Sequence, residues 1–150
     1  MSRVLLEVCC GSADDVIEAH KAGADRVELN SDLFHGGLTP TLGELIVAKR
    51  ETGMKIMTMV RPREGGFCYT DAEFATAVED GKLLLSHGAD GLVFGFLHQD
   101  GTLDRERTAI LEARRHYCWY LKGVPYANYY KEQIVRMNTL EDVYQVTKGI

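Results

Sequence analysis

Along the first 115 residues, short runs in which apolar and polar positions alternate are separated by longer stretches with helical spacing. The short runs predict four strands, at about Arg3–Cys9, Arg26–Asn30, Lys55–Arg61 and Gly91–Phe96. Cap residues mark the helices between them. Ser12, with Asp15 three residues on, opens a helix running to Ala22. Thr39 as N-cap, with Pro40 at the first helical position, opens a second. The tetrapeptide Thr70-Asp71-Ala72-Glu73 is a capping box that starts a third, ending near His87. After a turn at Asp100-Gly101, Asp104 caps a fourth helix to Arg115. One junction repeats: Ala22-Gly23-Ala24-Asp25 leads into RVELN, and His87-Gly88-Ala89-Asp90 leads into GLVFGFL. Each reads as a helix stopped by a left-handed glycine and followed by a buried strand, as in stacked βα units of a parallel sheet.

Alternation assigns the faces. Val4, Leu6 and Val8 share one side of the first strand and Leu5, Glu7 and Cys9 the other; Val27 and Leu29 oppose Arg26, Glu28 and Asn30; Ile56, Thr58 and Val60 oppose Lys55, Met57, Met59 and Arg61. The apolar side belongs under helices. The mixed side lines an interior, with Glu7, Cys9, Glu28, Asn30, Met59 and Arg61 near the strand C-termini. Strands of a doubly wound sheet are apolar on both faces. Charge confined to one face therefore predicts an α/β fold of another kind, an incomplete (β/α)8 TIM-type barrel of about four βα units. In such a barrel the C-terminal ends of the strands carry the active site.

After Arg115 the pattern changes. Trp119 and six of the seven tyrosines lie in the last 35 residues. Tyr117–Lys122 predicts a fifth strand and Thr139–Lys148 a capped helix, within an irregular aromatic-rich tail. A closed barrel takes about 200 residues or more. The expected organisation is therefore one domain over residues 1–150, a half-barrel at 1–115 and a divergent tail at 116–150, the whole being a truncated or frame-shifted barrel or one with a replaced tail. The open edges and uncovered face of a half-barrel predict a homo-oligomer.

Composition narrows the classes. Forty-five per cent hydrophobic and 26% charged residues describe a folded globular chain. A net charge of -5 with no cluster of Lys and Arg excludes nucleic acid and anionic membrane as partners. No apolar stretch approaches a membrane span, and MSRVLLEVCC is too short an apolar run for a secretory signal. The four cysteines, Cys9, Cys10, Cys68 and Cys118, contain a vicinal pair and no CxxC, which argues against a disulfide framework or structural zinc and for the cytoplasm.

Two candidate chemistries share the mixed face. Ionised side chains turned inward are costly unless they are paired. Glu7, Glu28 and Arg61 are thus expected to meet, as an acid/base pair beside a guanidinium suited to a small anionic substrate. Arg63 and Asn30 would add substrate contacts, and a purely structural ion network is the equal alternative. The second chemistry is soft-metal binding at Cys9 and Cys10, since thiolate and thioether ligands suit soft metal ions and Met57 and Met59 lie on the Cys9 side. Its bland counterpart is two small buried hydrophobes. Gly36-Gly37 and Gly65-Gly66 read as plain turns, and the five histidines show no metal-ligand spacing.

Five segments in order, LLEVCCGS, GADRVELN, GGLTPTLGEL, VRPREGGFCYTDAEF and GADGLVFGFLHQDGTLD, resemble the CutC family over about residues 3–115. The resemblance implies a (β/α)8-type barrel, a cytosolic location and a role in copper homeostasis through copper(I) bound by cysteine. Family members tied to copper match Cys9 but carry a second cysteine where this chain has Asn30. The family loop after the Arg-Pro-Arg segment reads Gly-Gly-Asp, where this chain has Glu64-Gly65-Gly66. The family's Phe-His-Arg strand is expected near residue 117, where the chain reads YCWYLKGV. A copper-homeostasis protein, a barrel enzyme acting on a small anionic ligand, and a non-functional fragment are the readings carried forward.

Overall fold

A computed structural model of the chain describes residues 4–120 and 139–148. Strands β1 (Glu7–Cys10), β2 (Arg26–Leu29), β3 (Lys55–Met59) and β4 (Gly91–Val93) alternate with helices α1 (Ala13–Lys21), α2 (Leu42–Thr52) and α3 (Asp71–Ser86). Among the described residues, helices α4 (Arg105–Tyr120) and α5 (Leu140–Lys148) follow. The chain divides into two compact units, Met1–Gly95 and Phe96–Ile150.

The first unit holds a four-stranded, wholly parallel sheet in the order β1-β2-β3-β4. Sequential order with one helix between consecutive strands is the pattern of a partial (β/α)8 barrel. The aligned rows are Glu7–Arg26–Lys55, Cys9–Glu28–Met57–Gly91 and Cys10–Leu29–Thr58–Leu92. Cys10, Val27, Leu29, Ile56, Thr58 and Leu92 are buried on one face. There α1 packs on β1 and β2, and α3 on β4. Thr58, the polar member of that face, donates to the Gly91 carbonyl at 3.3 Å. Cys9, Glu28, Met57 and Met59 occupy the opposite, less covered face. The alternation in the sequence thus has its physical counterpart in this one-sided helical cover.

The Gly-Ala-Asp repeat is explained by what its aspartates do. Gly23 and Gly88 stop α1 and α3 in left-handed conformation, at φ 86° and 102°. The Asp25 carboxylate then accepts from Leu6 N at 2.9 Å, and Asp90 from Ile56 N at 2.8 Å. Each aspartate also donates its own N–H to the carbonyl of that same residue, at 2.9 Å in both cases. An aspartate just before a strand therefore clamps the strand before it in the sheet and sets the register. Lys49 reinforces the second clamp, 2.8 Å from Asp90.

Three boundary expectations are corrected. The cap of α2 is Thr41, not Thr39: Thr41 and Glu44 form the capping box, while the Thr39 hydroxyl accepts from Arg61 N at 2.9 Å. Helix α4 runs beyond Arg115 to Tyr120, so residues 117–120 are helical rather than a fifth strand, and residues 121–122 lie outside the described part. Aromatic and β-branched content is a weak prior beside continuation of an established helix. The Thr139 cap and its helix appear as expected, with the Thr139 hydroxyl accepting from Asp142 N at 3.1 Å. Among the described residues, no helix is long and apolar enough to cross a membrane.

Candidate functional site

The C-terminal ends of β1 and β2 bring Cys9, Glu28 and Asn30 together. Asn30 follows β2 and is 1% exposed. Its amide nitrogen donates to Cys9 Sγ at 3.3 Å and to Glu28 Oε1 at 3.1 Å, and its backbone N–H donates to the Cys10 carbonyl at 2.9 Å. Sulfur and carboxylate are both acceptors, which fixes the nitrogen, not the oxygen, on their side. Cys9 keeps an exposed edge. Burial first, then the negative charges of Glu28 and Glu7, push its thiol above the ordinary value. At neutral pH it is a protonated thiol that must lose its proton to act as ligand or nucleophile.

Cys10 points the other way. One per cent exposed on the helix-covered face, it has its thiol pushed up to about 11 by burial, then by Asp15 and Cys9. Adjacent residues on a strand face opposite sides. The vicinal pair therefore separates into one accessible sulfur and one core residue.

Glu7, Glu28 and Arg61 do not converge. Glu7 pairs with Arg26, directly opposite it across β1 and β2. Glu28 is held by Asn30. Among the described residues no carboxylate lies within ion-pair distance of Arg61. Its guanidinium donates instead to backbone carbonyls: Nη1 to His35, Gly36 and Gly37 at 3.2, 3.1 and 3.0 Å, and Nη2 to Gly65 at 2.7 Å. It also lies 5.1 Å from the Phe67 ring centre. The expected acid/acid/arginine centre is replaced by two separate pairs and a loop tie.

Arg63 is likewise engaged within the β3–α3 loop rather than open to an anion. Nε and Nη2 hold the Glu73 carboxylate at 2.6 and 3.1 Å, and the remaining donors reach the carbonyls of Glu64, Gly66 and Cys68. Its guanidinium lies 4.8 Å from the Tyr69 ring centre. This bidentate contact holds the Glu73 carboxyl below its ordinary value, with Thr70 N–H adding to it.

Two contributors escaped the reading of the sequence. Arg26 was placed on the mixed face without a partner, because a cross-strand pair needs the register. Gly37 was read as a plain turn, although two successive glycines are a signal of consecutive left-handed positions. They stand at φ 88° and 82°. Among the described residues no group of three or more His, Cys, Asp or Glu side chains is arranged to hold a metal ion.

The sequence model of the CutC family matches residues 4–117. A CutC family protein of Treponema denticola is 54% identical over 111 residues, covering 74% of this chain and 45% of that protein. The copper homeostasis protein cutC homolog of Homo sapiens is 45% identical over 102 residues, covering 68% of this chain and 37% of that one. The crystal structure of the CutC protein of Streptococcus agalactiae is similar at a TM-score of 0.69 and 32% identity, over 76% of this chain and 56% of that chain. The chain spans about two-fifths of the length of the curated relatives it matches.

Proposed function

Because the chain belongs to the CutC family, we propose that it serves copper homeostasis by holding copper(I) at Cys9, in the reducing cytosol where copper(I) and thiols coexist. The observation that carries this reading is the division of the vicinal pair. Cys9 is the sulfur presented at the strand ends, on the side where a barrel carries its site, while Cys10 is core. Copper(I) takes soft sulfur ligands, and Met57 and Met59 share the Cys9 face. The names of the human and mouse relatives, copper homeostasis protein cutC homolog, point the same way. The enzyme reading has less support, because Arg61 and Arg63 are both occupied by the chain's own loops.

The raised Cys9 thiol sets a pH signature. Copper(I) displaces the thiol proton, so affinity rises with pH for as long as the free thiol is protonated, by about tenfold per unit. That rise continues past the usual thiol range because the Cys9 value lies above it. A competition titration against a copper(I) chelator, from pH 6.5 to 9, tests this in a Cys68→Ser background, which removes the exposed loop thiol. Cys9→Ser should weaken binding and flatten the pH dependence, and Cys10→Ser should change neither. Equal affinities for the parent and Cys9→Ser would end the reading.

A further inference from the structure

The β2–α2 loop folds back at the strand ends beside Cys9. Its two ends are joined by paired backbone bonds, Ser31 N to Leu38 O at 2.9 Å and Leu38 N to Ser31 O at 2.8 Å. Between them the chain passes Asp32, left-handed at φ 46°, a short helical turn at Leu33–His35, and the two left-handed glycines. Arg61, 7% exposed, pins this stretch through the three carbonyls at 35–37. A second tie runs through Thr39, whose hydroxyl accepts from Arg61 N at 2.9 Å and whose N–H donates to Arg61 O at 3.0 Å. The pinned backbone at Gly37 then meets Asn30. A Cβ at position 37 would lie 2.4 Å from Asn30 Oδ1 and 3.1 Å from its Cγ, so only glycine allows this approach. Held from that side, Asn30 has its amide nitrogen on the Cys9 sulfur and the Glu28 carboxylate.

We infer that Arg61 is a positioning residue for Cys9: by fixing Gly37 it fixes Asn30, and through Asn30 the hydrogen bond on the Cys9 sulfur. The guanidinium never reaches the thiol itself, and its partners are carbonyls of two loops rather than the carboxylates expected of a catalytic arginine. A donor on sulfur favours the thiolate. Loosening the loop should therefore make the proton harder to remove. The inference deepens the copper reading and rests on it for its purpose, but its test reads the thiol without metal.

The experiment is alkylation of the metal-free protein by iodoacetamide across pH, resolved by residue with peptide mass spectrometry. The midpoint of the Cys9 rate profile reports the thiol independently of access. Arg61→Lys should raise it by about half to one unit, which slows Cys9 about threefold to tenfold at neutral pH. Gly37→Ala, which displaces Asn30 while leaving the guanidinium in place, should do the same, as should Asn30→Ala. Combining Arg61→Lys with Asn30→Ala should add nothing to Asn30→Ala alone, because both act through one hydrogen bond. Cys10 should stay unreactive, which certifies the fold; if Arg61→Lys exposes Cys10, Gly37→Ala decides. An unmoved Cys9 midpoint in the folded variants, or additive shifts in the double variant, would overturn the inference. Absence of copper binding alongside the expected shifts would sink only the copper reading.

Discussion

Replacing Asn30 by cysteine should raise the affinity for copper(I) on the order of a thousandfold, about 4 kcal/mol. The side chain at position 30 touches the Cys9 sulfur, across 3.3 Å, from just beyond the neighbouring strand. An amide nitrogen has no lone pair to give a metal, whereas a thiolate there would place two soft donors on one ion. Family members tied to copper resemble such a variant more than the natural chain at this position. Asn30→Ser should give no such gain, and adding Cys9→Ser to Asn30→Cys should abolish it. Competition with a chromophoric copper(I) chelator measures all three. An Asn30→Cys variant no tighter than the parent would mean that positions 9 and 30 do not form a shared metal site.

The second large effect concerns the two faces of the sheet. Ile56 and Met57 are neighbours on β3, similar in size and apolarity. Ile56 is 0% exposed under the helices, while Met57 lies on the less covered face. Truncating a fully buried isoleucine costs about 2–5 kcal/mol, from lost burial and the cavity left behind. Ile56→Ala should therefore lower stability by about 3 kcal/mol, and Met57→Ala by less than about 1 kcal/mol. Urea unfolding of the two variants measures this, the midpoint moving strongly for the first and little for the second. Equal losses would show that both faces are equally packed and that the one-sided reading of the strands is mistaken.

The facing of the strands was legible because alternation is a local property: each of Val27, Leu29, Ile56 and Thr58 carries its own signal of burial, read against its neighbours. The Thr70–Glu73 capping box was legible for the same reason, and Thr41 with Glu44 carried an equal signal that the adjacent Thr39-Pro40 obscured. The site was less legible, because its partners are set by register and loop backbone. Glu7 was expected to meet Arg61, yet Arg26 lies directly opposite it and satisfies it. Arg61 was expected to seek carboxylates, yet its acceptors are main-chain carbonyls of residues 35–37 and 65, which no side-chain pattern advertises. The separation of Cys9 from Cys10 followed from the pleat alone. That Asn30 would be the group on the Cys9 sulfur required the alignment of β1 with β2; the sequence marks Asn30 as a substrate contact and as the position where family members tied to copper carry a second cysteine, not as a hydrogen-bond donor to Cys9.

The most direct test of copper binding at Cys9 is protection of individual thiols from alkylation by one equivalent of copper(I) under anaerobic, reducing conditions. Cys9 should become protected in proportion to the copper added, Cys68 should remain reactive, and Cys10 should be unreactive with or without metal. Protection of Cys68 with Cys9 left reactive would contradict the account, placing any copper on the β3–α3 loop instead of at the strand ends.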